Sequence, residues 1–183
     1  AVGIRVDHAV VTGDAAGVDA QPLDETGLNL ELRGYQQFAV KAVLHHRRLL
    51  ISDEPGLGAS VQAAGLLSHL GDGHHLVVAS RGQQTAWVRA IAEHTELPVF
   101  QLLDEHAASL WRNGGGVGLA THDNTPADSI ELKSLVIDDA HYLRERSGRR
   151  ATAVAELAER SRHVLLLTSD PSFRVSGPIL RRA

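Results

Sequence analysis

From residue 32 onward, short apolar runs alternate with longer stretches whose apolar residues recur at helical spacing. Continuous apolar runs between polar or glycine-rich turns are typical of strands buried on both faces of a parallel sheet. The predicted strands are Leu49–Ser52, Leu76–Ala79, Val99–Leu103, Val117–Thr121, Leu135–Asp138 and Val164–Thr168, and the predicted helices are Tyr35–His46, Ser60–Leu70, Gln83–His94 and Thr152–Arg160. This order predicts an α/β fold, a parallel sheet with helices on both faces and right-handed crossovers.

Residues 1–31 have a different pattern. An alternating stretch, Ile4–Val11, predicts one strand, and the Gly-, Asp-, Ala- and Pro-rich run that follows to Leu28 predicts a linker. We therefore expect an N-terminal arm over 1–31, outside the core, and one α/β domain over 32–183. Because the sequence contains no methionine, Ala1 is expected to be a processed end or the edge of a piece of a longer protein.

The composition excludes several classes of protein. Apolar residues make up 43% of the 183 residues, but no run approaches the roughly 18 consecutive apolar residues of a membrane helix. The absence of cysteine rules out disulfides and thiolate metal sites. No signal-peptide pattern opens the chain, so we expect a cytoplasmic protein with no membrane partner. The formal charge of −4 argues against wholesale nucleic-acid binding, but 18 basic residues allow a local basic face.

The segment from Leu50 to Ser60 breaks a strand at a Gly56-Leu57-Gly58 turn and then opens a helix. This pattern is typical of a phosphate-binding loop, in which glycines let backbone N–H groups point at an anion and the helix N-terminus adds its dipole. Ser60 stands where a hydroxyl would be a ligand of Mg²⁺. The usual lysine before it is replaced by Ala59. On spacing alone, a plain strand-to-helix turn closed by glycines is an equal alternative.

Three further segments match motifs of one protein family, in the order that the family has them. Leu32–Gln36 lies upstream of the loop, Leu135–Leu143 lies downstream, and Leu165–Pro171 comes after that. Together they resemble the superfamily-two helicases, most closely the Swi/Snf-type DNA translocases, whose motifs read Leu-Arg-x-Tyr-Gln, Asp-Glu-x-Gly-Leu-Gly-Lys-Thr, Asp-Glu-Ala-His and Leu-Thr-Gly-Thr-Pro. The resemblance covers residues 32–171. It implies a RecA-like, P-loop NTPase fold and the first of two lobes in a longer chain or complex.

The resemblance also implies a nucleotide site. By position, Gln36 would recognise adenine, Asp138 would hold Mg²⁺ through water together with Ser60, Asp139 would take the catalytic-base position, and His141 would link the site to the last motif. The loop residues that fall at nucleotide-contacting positions are Glu54, Gly56, Gly58 and Ala59. Two alternatives stay open: Gln36 as a polar residue on a helix surface, and the Asp138–Asp139 pair as a helix N-cap.

Three departures from the family pattern weaken that site. Ala59 replaces the lysine, Asp139 is one methylene shorter than the family's Glu, and Asp170 stands where the family has a hydroxyl. A carboxylate displaced by about an ångström can cost on the order of 10²-fold in rate. If Asp170 lies near Asp138 and Asp139, three anions face a triphosphate without a cation. We therefore predict weak or no binding of ATP and Mg²⁺, and impaired or absent hydrolysis.

Family members grip DNA with the segments after the second and third strands, which correspond here to residues 80–87 and 120–122. Arg81, Thr121 and His122 are the expected contacts to nucleic acid. Arg149 and Arg150, in a basic run with Arg144 and Arg146, are further expected contacts to nucleic acid. The alternative is that this run is a solvated loop in which Glu145 pairs with the arginines. Trp87 is interpreted as core packing rather than as a platform for bases.

The histidines invite a metal hypothesis, above all His69, His74 and His75, and the pair His45–His46. Zinc sites need four ligands on rigid elements, so these residues are interpreted as surface histidines.

Three functions compete. The leading hypothesis is a degenerate helicase or translocase lobe that keeps the fold and a nucleic-acid surface with little or no ATPase. The second is a working DNA-dependent ATPase that receives a cation from a partner or a second lobe. The third is a scaffold that binds only other proteins.

Overall fold

A computed structural model of the protein describes residues 3–5, 15–126, 130–143 and 149–170, with the backbone alone for 3–5 and 149. The strands are β1 (Gly3–Arg5), β2 (Arg48–Ser52), β3 (His74–Val78), β4 (Val99–Gln101), β5 (Gly116–Ala120), β6 (Leu132–Ile137) and β7 (Ser161–Thr168). The helices are α1 (Ala15–Asp19), α2 (Gly34–His46), α3 (Ala59–Leu70), α4 (Gln84–His94), α5 (Glu105–Gly114) and α6 (Arg149–Glu159), with single 3₁₀ turns at Arg81–Gln83 and Ala140–Leu143.

The strands form one sheet in the order β1-β2-β7-β6-β3-β5-β4. Six strands are parallel, and β1 pairs antiparallel with β2 at one edge. The predicted α/β fold with a parallel sheet is confirmed. Because Ser52 pairs with Thr168, and Val78 pairs with both Ala120 and Ile137, the carboxyl ends of these strands meet at one edge of the sheet.

Each face of the sheet has its own hydrophobic core, since successive strand residues point to opposite faces. In β2, Leu49 and Ile51 belong to the first core, whereas Leu50 belongs to the second. The first core takes buried side chains from α2, α3 and α4, and the second takes them from α5 and α6. Helices therefore cover both faces, as the sequence pattern predicts.

The N-terminal segment departs from the prediction of an arm outside the core. Val18 of α1 is 3% exposed and Leu28 is 9% exposed, and both belong to the first core. Leu28 also bridges to Thr95. The prediction is wrong for these residues, because Val18 and Leu28, together with the partly buried Leu23 and Leu30, pack against the first core. The first two residues of the predicted strand belong to β1, and the rest of that strand lies in residues 6–14, outside the described residues. The boundary at residue 31 stays a prediction.

The third predicted strand ends earlier than expected, and the sequence analysis missed a helix after it. β4 ends at Gln101, and α5 begins after Asp104, whose side chain accepts a hydrogen bond from the Ala107 N–H at 2.8 Å. Trp111 of α5 is 1% exposed and anchors the helix in the second core.

His75 is a core residue, so its assignment to the surface is wrong. It is fully buried on β3, where Nδ1 lies 2.8 Å from Ser134 Oγ and Nε2 lies 2.7 Å from the Gly71 carbonyl oxygen. Burial lowers the pKa of His75 to about 4. Among the described residues, no group of three or more histidine, aspartate or glutamate side chains is arranged to hold a metal ion. No described helix has the length and apolar character needed to cross a membrane.

Candidate functional site

The glycine loop between β2 and α3 has the conformation expected of a phosphate-binding loop. Gly56 and Gly58 have φ values of 93° and 81°, in the left-handed region that favours glycine. A Cβ atom at Gly58 would lie 2.7 Å from Gln36 Nε2, so a side chain there would collide with a neighbour. The Leu57 carbonyl accepts hydrogen bonds from the Tyr35 hydroxyl at 2.9 Å and from Gln36 Nε2 at 3.3 Å. The turn is therefore held from the α2 side.

A cavity of about 400 Å³ opens in front of this loop. It is lined by Gly56, Gly58, Ala59, Ser60, Gln83, Ala86, Trp87 and Asp138. The fold thus brings the predicted loop residues and Asp138 to one space, although they are far apart in sequence. The wall opposite the loop is formed by Gln83, Ala86 and Trp87, which precede or belong to α4.

A second cavity, of about 240 Å³, also adjoins the loop and shares Gly56, Ala59, Gln83 and Asp138 with the first. Its lining includes four carboxylates, those of Asp53, Glu54, Asp138 and Asp139, and no lysine or arginine among the described residues. Asp170 is not among the described residues that line either cavity, so the acidic character predicted for it comes instead from Asp53 and Glu54.

Both lysines of the chain lie elsewhere. Lys41 Nζ donates a hydrogen bond to the Asp19 carbonyl at 3.1 Å, and Lys133 Nζ donates one to the Leu70 carbonyl at 3.1 Å. Neither ammonium group can therefore replace the lysine that is missing at position 59.

Asp53 is a site residue that sequence reasoning missed. It is 7% exposed, and its Oδ2 accepts a hydrogen bond from Gln62 Nε2 at 2.8 Å, while its Oδ1 has no partner. The position of Asp53 directly after β2 is the signal that would have found it, because the carboxyl ends of parallel strands point into the same edge.

Asp138 follows β6 and has both carboxylate oxygens engaged. Oδ1 accepts a hydrogen bond from the Asp139 N–H at 2.9 Å, and Oδ2 accepts one from the Trp87 indole N–H at 2.7 Å. Burial raises the pKa of Asp138, and the Trp87 hydrogen bond opposes that rise. Asp139 has a φ of 50°, a left-handed conformation that aspartate tolerates better than most residues. Trp87 is 4% exposed, so core packing is confirmed, but its contact with Asp138 was not foreseen.

Gln36 is buried rather than on the helix surface. It is 6% exposed, its Oε1 accepts a hydrogen bond from the Arg33 N–H at 3.0 Å, and its Nε2 reaches the Leu57 carbonyl. It caps α2 and supports the glycine loop, and it is not among the described residues that line the two cavities. A role toward adenine stays a prediction.

His141 lies between the acids and the end of β7. Its Nδ1 is 3.4 Å from Thr168 Oγ1, and its ring centroid is 4.8 Å from that of Tyr142. The Tyr142 ring in turn lies 5.2 Å from the His122 ring. A continuous row of side chains thus joins the predicted nucleotide side to the loop after β5.

The predicted nucleic-acid face is only partly accessible. Arg81 is exposed and Thr121 is half-buried. Arg150 Nε lies 2.7 Å from Asp123 Oδ1 in an exposed ion pair. The His122 side chain is 6% exposed, and burial lowers its pKa, so the ring is not part of the accessible face and a contact of this residue with nucleic acid stays a prediction. Arg149 is described by its backbone alone, and Arg144, Arg146 and Pro171 lie outside the described residues.

No family model matches the chain. It is 28% identical over 169 residues to a SWI/SNF-related matrix-associated actin-dependent regulator of chromatin, subfamily A containing DEAD/H box 1, from Xenopus tropicalis, which covers 78% of this chain and 17% of that protein. It is 26% identical over 175 residues to a putative DNA 3'-5' helicase Rad25 from Halobacterium salinarum, which covers 92% of this chain and 27% of that one. It is 26% identical over 145 residues to the human DNA annealing helicase and endonuclease ZRANB3, which covers 72% of this chain and 13% of that one.

Among solved structures, the Sulfolobus solfataricus SWI2/SNF2 ATPase core in complex with dsDNA matches with a TM-score of 0.69 and 19% identity, over 81% of this chain and 34% of that chain. The chain therefore spans less than a third of the length of these curated relatives and about a third of the matched structure.

Proposed function

The chain is related to the Swi/Snf-type helicases and has a RecA-like fold, and from this premise we propose that it is a degenerate ATPase lobe with impaired or absent ATP hydrolysis. In this proposal it acts as a module that binds DNA or a partner protein. The lobe keeps the glycine loop and the metal-binding acid of the family, but not the charges that a triphosphate needs.

The observation that carries the proposal is the environment of Ala59. It lines both cavities, the described lining of the smaller cavity contains four carboxylates and no lysine or arginine, and both lysines of the chain are bound elsewhere. Losing one charge-assisted phosphate contact costs about 1.5–3 kcal/mol, or about one to two decades of affinity. The residues present do not fit an ATP·Mg²⁺ complex, since the four carboxylates at the positions of the family's motifs remain while the lysine that would neutralise the phosphates is replaced by Ala59.

DNA is the partner that the relatives favour. Three of them carry helicase or SWI/SNF names, and the matched ATPase core was solved with double-stranded DNA. On this chain, Arg81 and Arg150 are the exposed cations of the predicted face. Phosphate contacts of this kind position a duplex without reading its sequence.

Calorimetric titration of ATP·Mg²⁺ into wild type and Ala59→Lys tests the loss of the nucleotide site. We expect weak or no binding to wild type, and a gain of about one to two decades in the variant, because the ammonium group returns to the phosphate side of the loop. Ala86→Lys is the matched control, since Ala86 lines the same cavity from α4, where a lysine is not on the loop. Micromolar binding to wild type would contradict the proposal.

A working ATPase is the second candidate, and the intact geometry of the loop favours it. Gly56 and Gly58 keep their left-handed conformations, and Asp138 still faces them across one cavity. In that case a cation from a second lobe or a partner completes the site. ATP hydrolysis measured with and without double-stranded DNA decides between the two, because DNA-stimulated turnover by wild type is expected only of a working ATPase.

A scaffold without nucleic-acid binding is the remaining hypothesis. Salt-dependent DNA binding that disappears when Arg81 and the Arg149–Arg150 pair are neutralised would exclude it.

A further inference from the structure

The segment from Arg81 to Trp87 belongs to both candidate sites. Its first residue, Arg81, is exposed on the predicted nucleic-acid face. Gln83, Ala86 and Trp87 line the 400 Å³ cavity in front of the glycine loop. One short stretch of chain therefore has one end on the DNA side and the other in the cavity wall.

Two buried side chains anchor this segment to the sheet. Gln84 is 5% exposed, and its Nε2 donates to the Ala120 carbonyl at 2.9 Å and lies 3.3 Å from the Ala79 carbonyl. Ala120 is the last residue of β5, and Ala79 directly follows β3. Trp87 makes the third attachment through its indole N–H, which donates to Asp138 Oδ2 at 2.7 Å after β6. The start of α4 is thus tied to three neighbouring strands.

The bond from Trp87 differs from the two made by Gln84, because its acceptor is a carboxylate. Hydrogen bonds to ionised acceptors are about twice as strong as bonds between neutral groups. Asp138 is half-buried among other acids, and the described lining of its cavities contains no lysine or arginine. Among the described residues, the indole N–H is then one of two donors to this carboxylate, the other being the Asp139 N–H.

We propose that Trp87 is a positioning residue that uses the carboxylate of Asp138 to fix the Arg81–Trp87 segment, and so sets the orientation of Arg81 toward DNA. The acid that the family uses for metal binding serves here as an anchor for the nucleic-acid face. This inference deepens the proposed function, and it rests on that function only for the identity of the partner.

The second tryptophan provides a matched control. Trp111 is as buried as Trp87, but its indole N–H donates to the backbone carbonyl of Gly116 at 3.1 Å, and it belongs to the second core. Replacing either indole by a phenyl ring removes one buried hydrogen bond and a similar volume. Only the change at Trp87 affects the attachment to Asp138.

The first test measures binding of a fluorescein-labelled 30-base-pair duplex by anisotropy, at several salt concentrations, for wild type, Trp87→Phe, Trp111→Phe, Arg81→Ala and the double variant Trp87→Phe/Arg81→Ala. Arg81→Ala should weaken binding about tenfold and reduce the salt slope by about 1. Trp87→Phe should reproduce most of that loss, the double variant should add little to it, and Trp111→Phe should bind as wild type does. Independent, additive losses from Trp87→Phe and Arg81→Ala would overturn the inference, because uncoupled residues add in a mutant cycle.

The second test needs no DNA and compares backbone amide chemical shifts. Trp87→Phe should shift the amides of Arg81, Gly82 and Gln84, whereas Trp111→Phe should leave them in place. Asp138→Leu removes the acceptor and keeps the indole, so it should shift the same amides even if Trp87→Phe does not fold. Unmoved Arg81 and Gly82 amides in Asp138→Leu would overturn the inference. If the amides shift as expected but wild type does not bind the duplex, the proposed partner is wrong and the positioning role stands.

Discussion

At the scale of single residues, Gly58 shows why the loop conformation depends on glycine. Its φ of 81° is unfavourable for any residue with a Cβ atom, and such an atom would lie 2.7 Å from Gln36 Nε2. The Gln36 side chain is fixed by two hydrogen bonds, because its amide caps α2 and reaches the Leu57 carbonyl. A substitution at this one position therefore disturbs both the turn and the side chain behind it.

Gly58→Ala should lower the free energy of unfolding by about 1–3 kcal/mol, through backbone strain and the displaced amide. Urea unfolding measures the change. Gly34→Ala is the control, since a Cβ atom there meets nothing within 4 Å and its φ is not in the left-handed region. That variant should be neutral or slightly more stable. Equal effects of the two substitutions would contradict the contact with Gln36.

His75 makes the stability depend on pH. Burial lowers its pKa from 6.5 to about 4 in the folded protein. Below pH 6.5 the unfolded chain binds a proton at this position that the folded chain does not bind until pH 4. Stability is therefore lost as pH falls through this window, by at most about 1.4 kcal/mol per pH unit and about 3 kcal/mol in total.

His75→Gln should flatten that dependence, because glutamine does not titrate and can still donate and accept hydrogen bonds. Urea unfolding of wild type and variant at pH 7, 6 and 5 measures the difference. Burial also lowers the pKa values of His122 and His163, so some loss of stability in acid should remain in the variant. An unchanged slope with pH in His75→Gln would exclude His75 as its source.

At the scale of elements, the loops after β3 and β5 and the start of α6 form the predicted nucleic-acid face. They bring Arg81, Asp123 and Arg150 to one side of the sheet edge. The Asp123 carboxylate lies 2.7 Å from Arg150 Nε, and Arg150 first, then His122 and Arg81, contribute to holding the pKa of Asp123 below its usual value. An acid in this place competes with a DNA phosphate for the same arginine.

Asp123→Asn should therefore strengthen DNA binding about threefold at low salt, because one negative charge leaves a phosphate-binding surface. Stability should change little, since exposed ion pairs contribute only about 0–1 kcal/mol. Asp72→Asn is the control: it makes the same change of charge at an exposed turn before β3, at the other end of that strand. Equal gains in both variants would indicate a general charge effect rather than competition at Arg150.

At the scale of the whole molecule, residues between 15 and 31 contribute to the first core. Val18 and Leu28 enter the first core together with residues of α2, α3 and α4. Val18→Ala should lower the free energy of unfolding by about 1–3 kcal/mol, because it leaves a cavity in a close-packed core. Leu110→Ala, at a side chain 49% exposed, should cost much less. A neutral Val18→Ala in urea unfolding would restore the interpretation of residues 15–31 as a separate arm.

The sequence predicted the order of most helices and strands, the glycine loop and the family resemblance, because these depend on local patterns. Apolar runs, helical spacing and a Gly-x-Gly turn are properties of neighbouring residues. The helix α5 was missed although its start is marked by Asp104 as an N-cap, because it is short and Trp111 is its only residue buried in the core. The absence of the lysine was also readable directly, at Ala59.

Only the tertiary structure decided which residues meet. The strand order β2-β7-β6-β3-β5-β4 places neighbours in space that are not neighbours in sequence. This order buries His75 and His122, sets Asp53 among the acids in place of Asp170, and brings the Trp87 indole to Asp138. Burial and pairing of polar groups follow from packing between distant segments, so no local pattern contains them. The sequence thus identified a phosphate-binding loop with Ala59 in place of the lysine, and the fold determined that the Trp87 indole holds the carboxylate of Asp138.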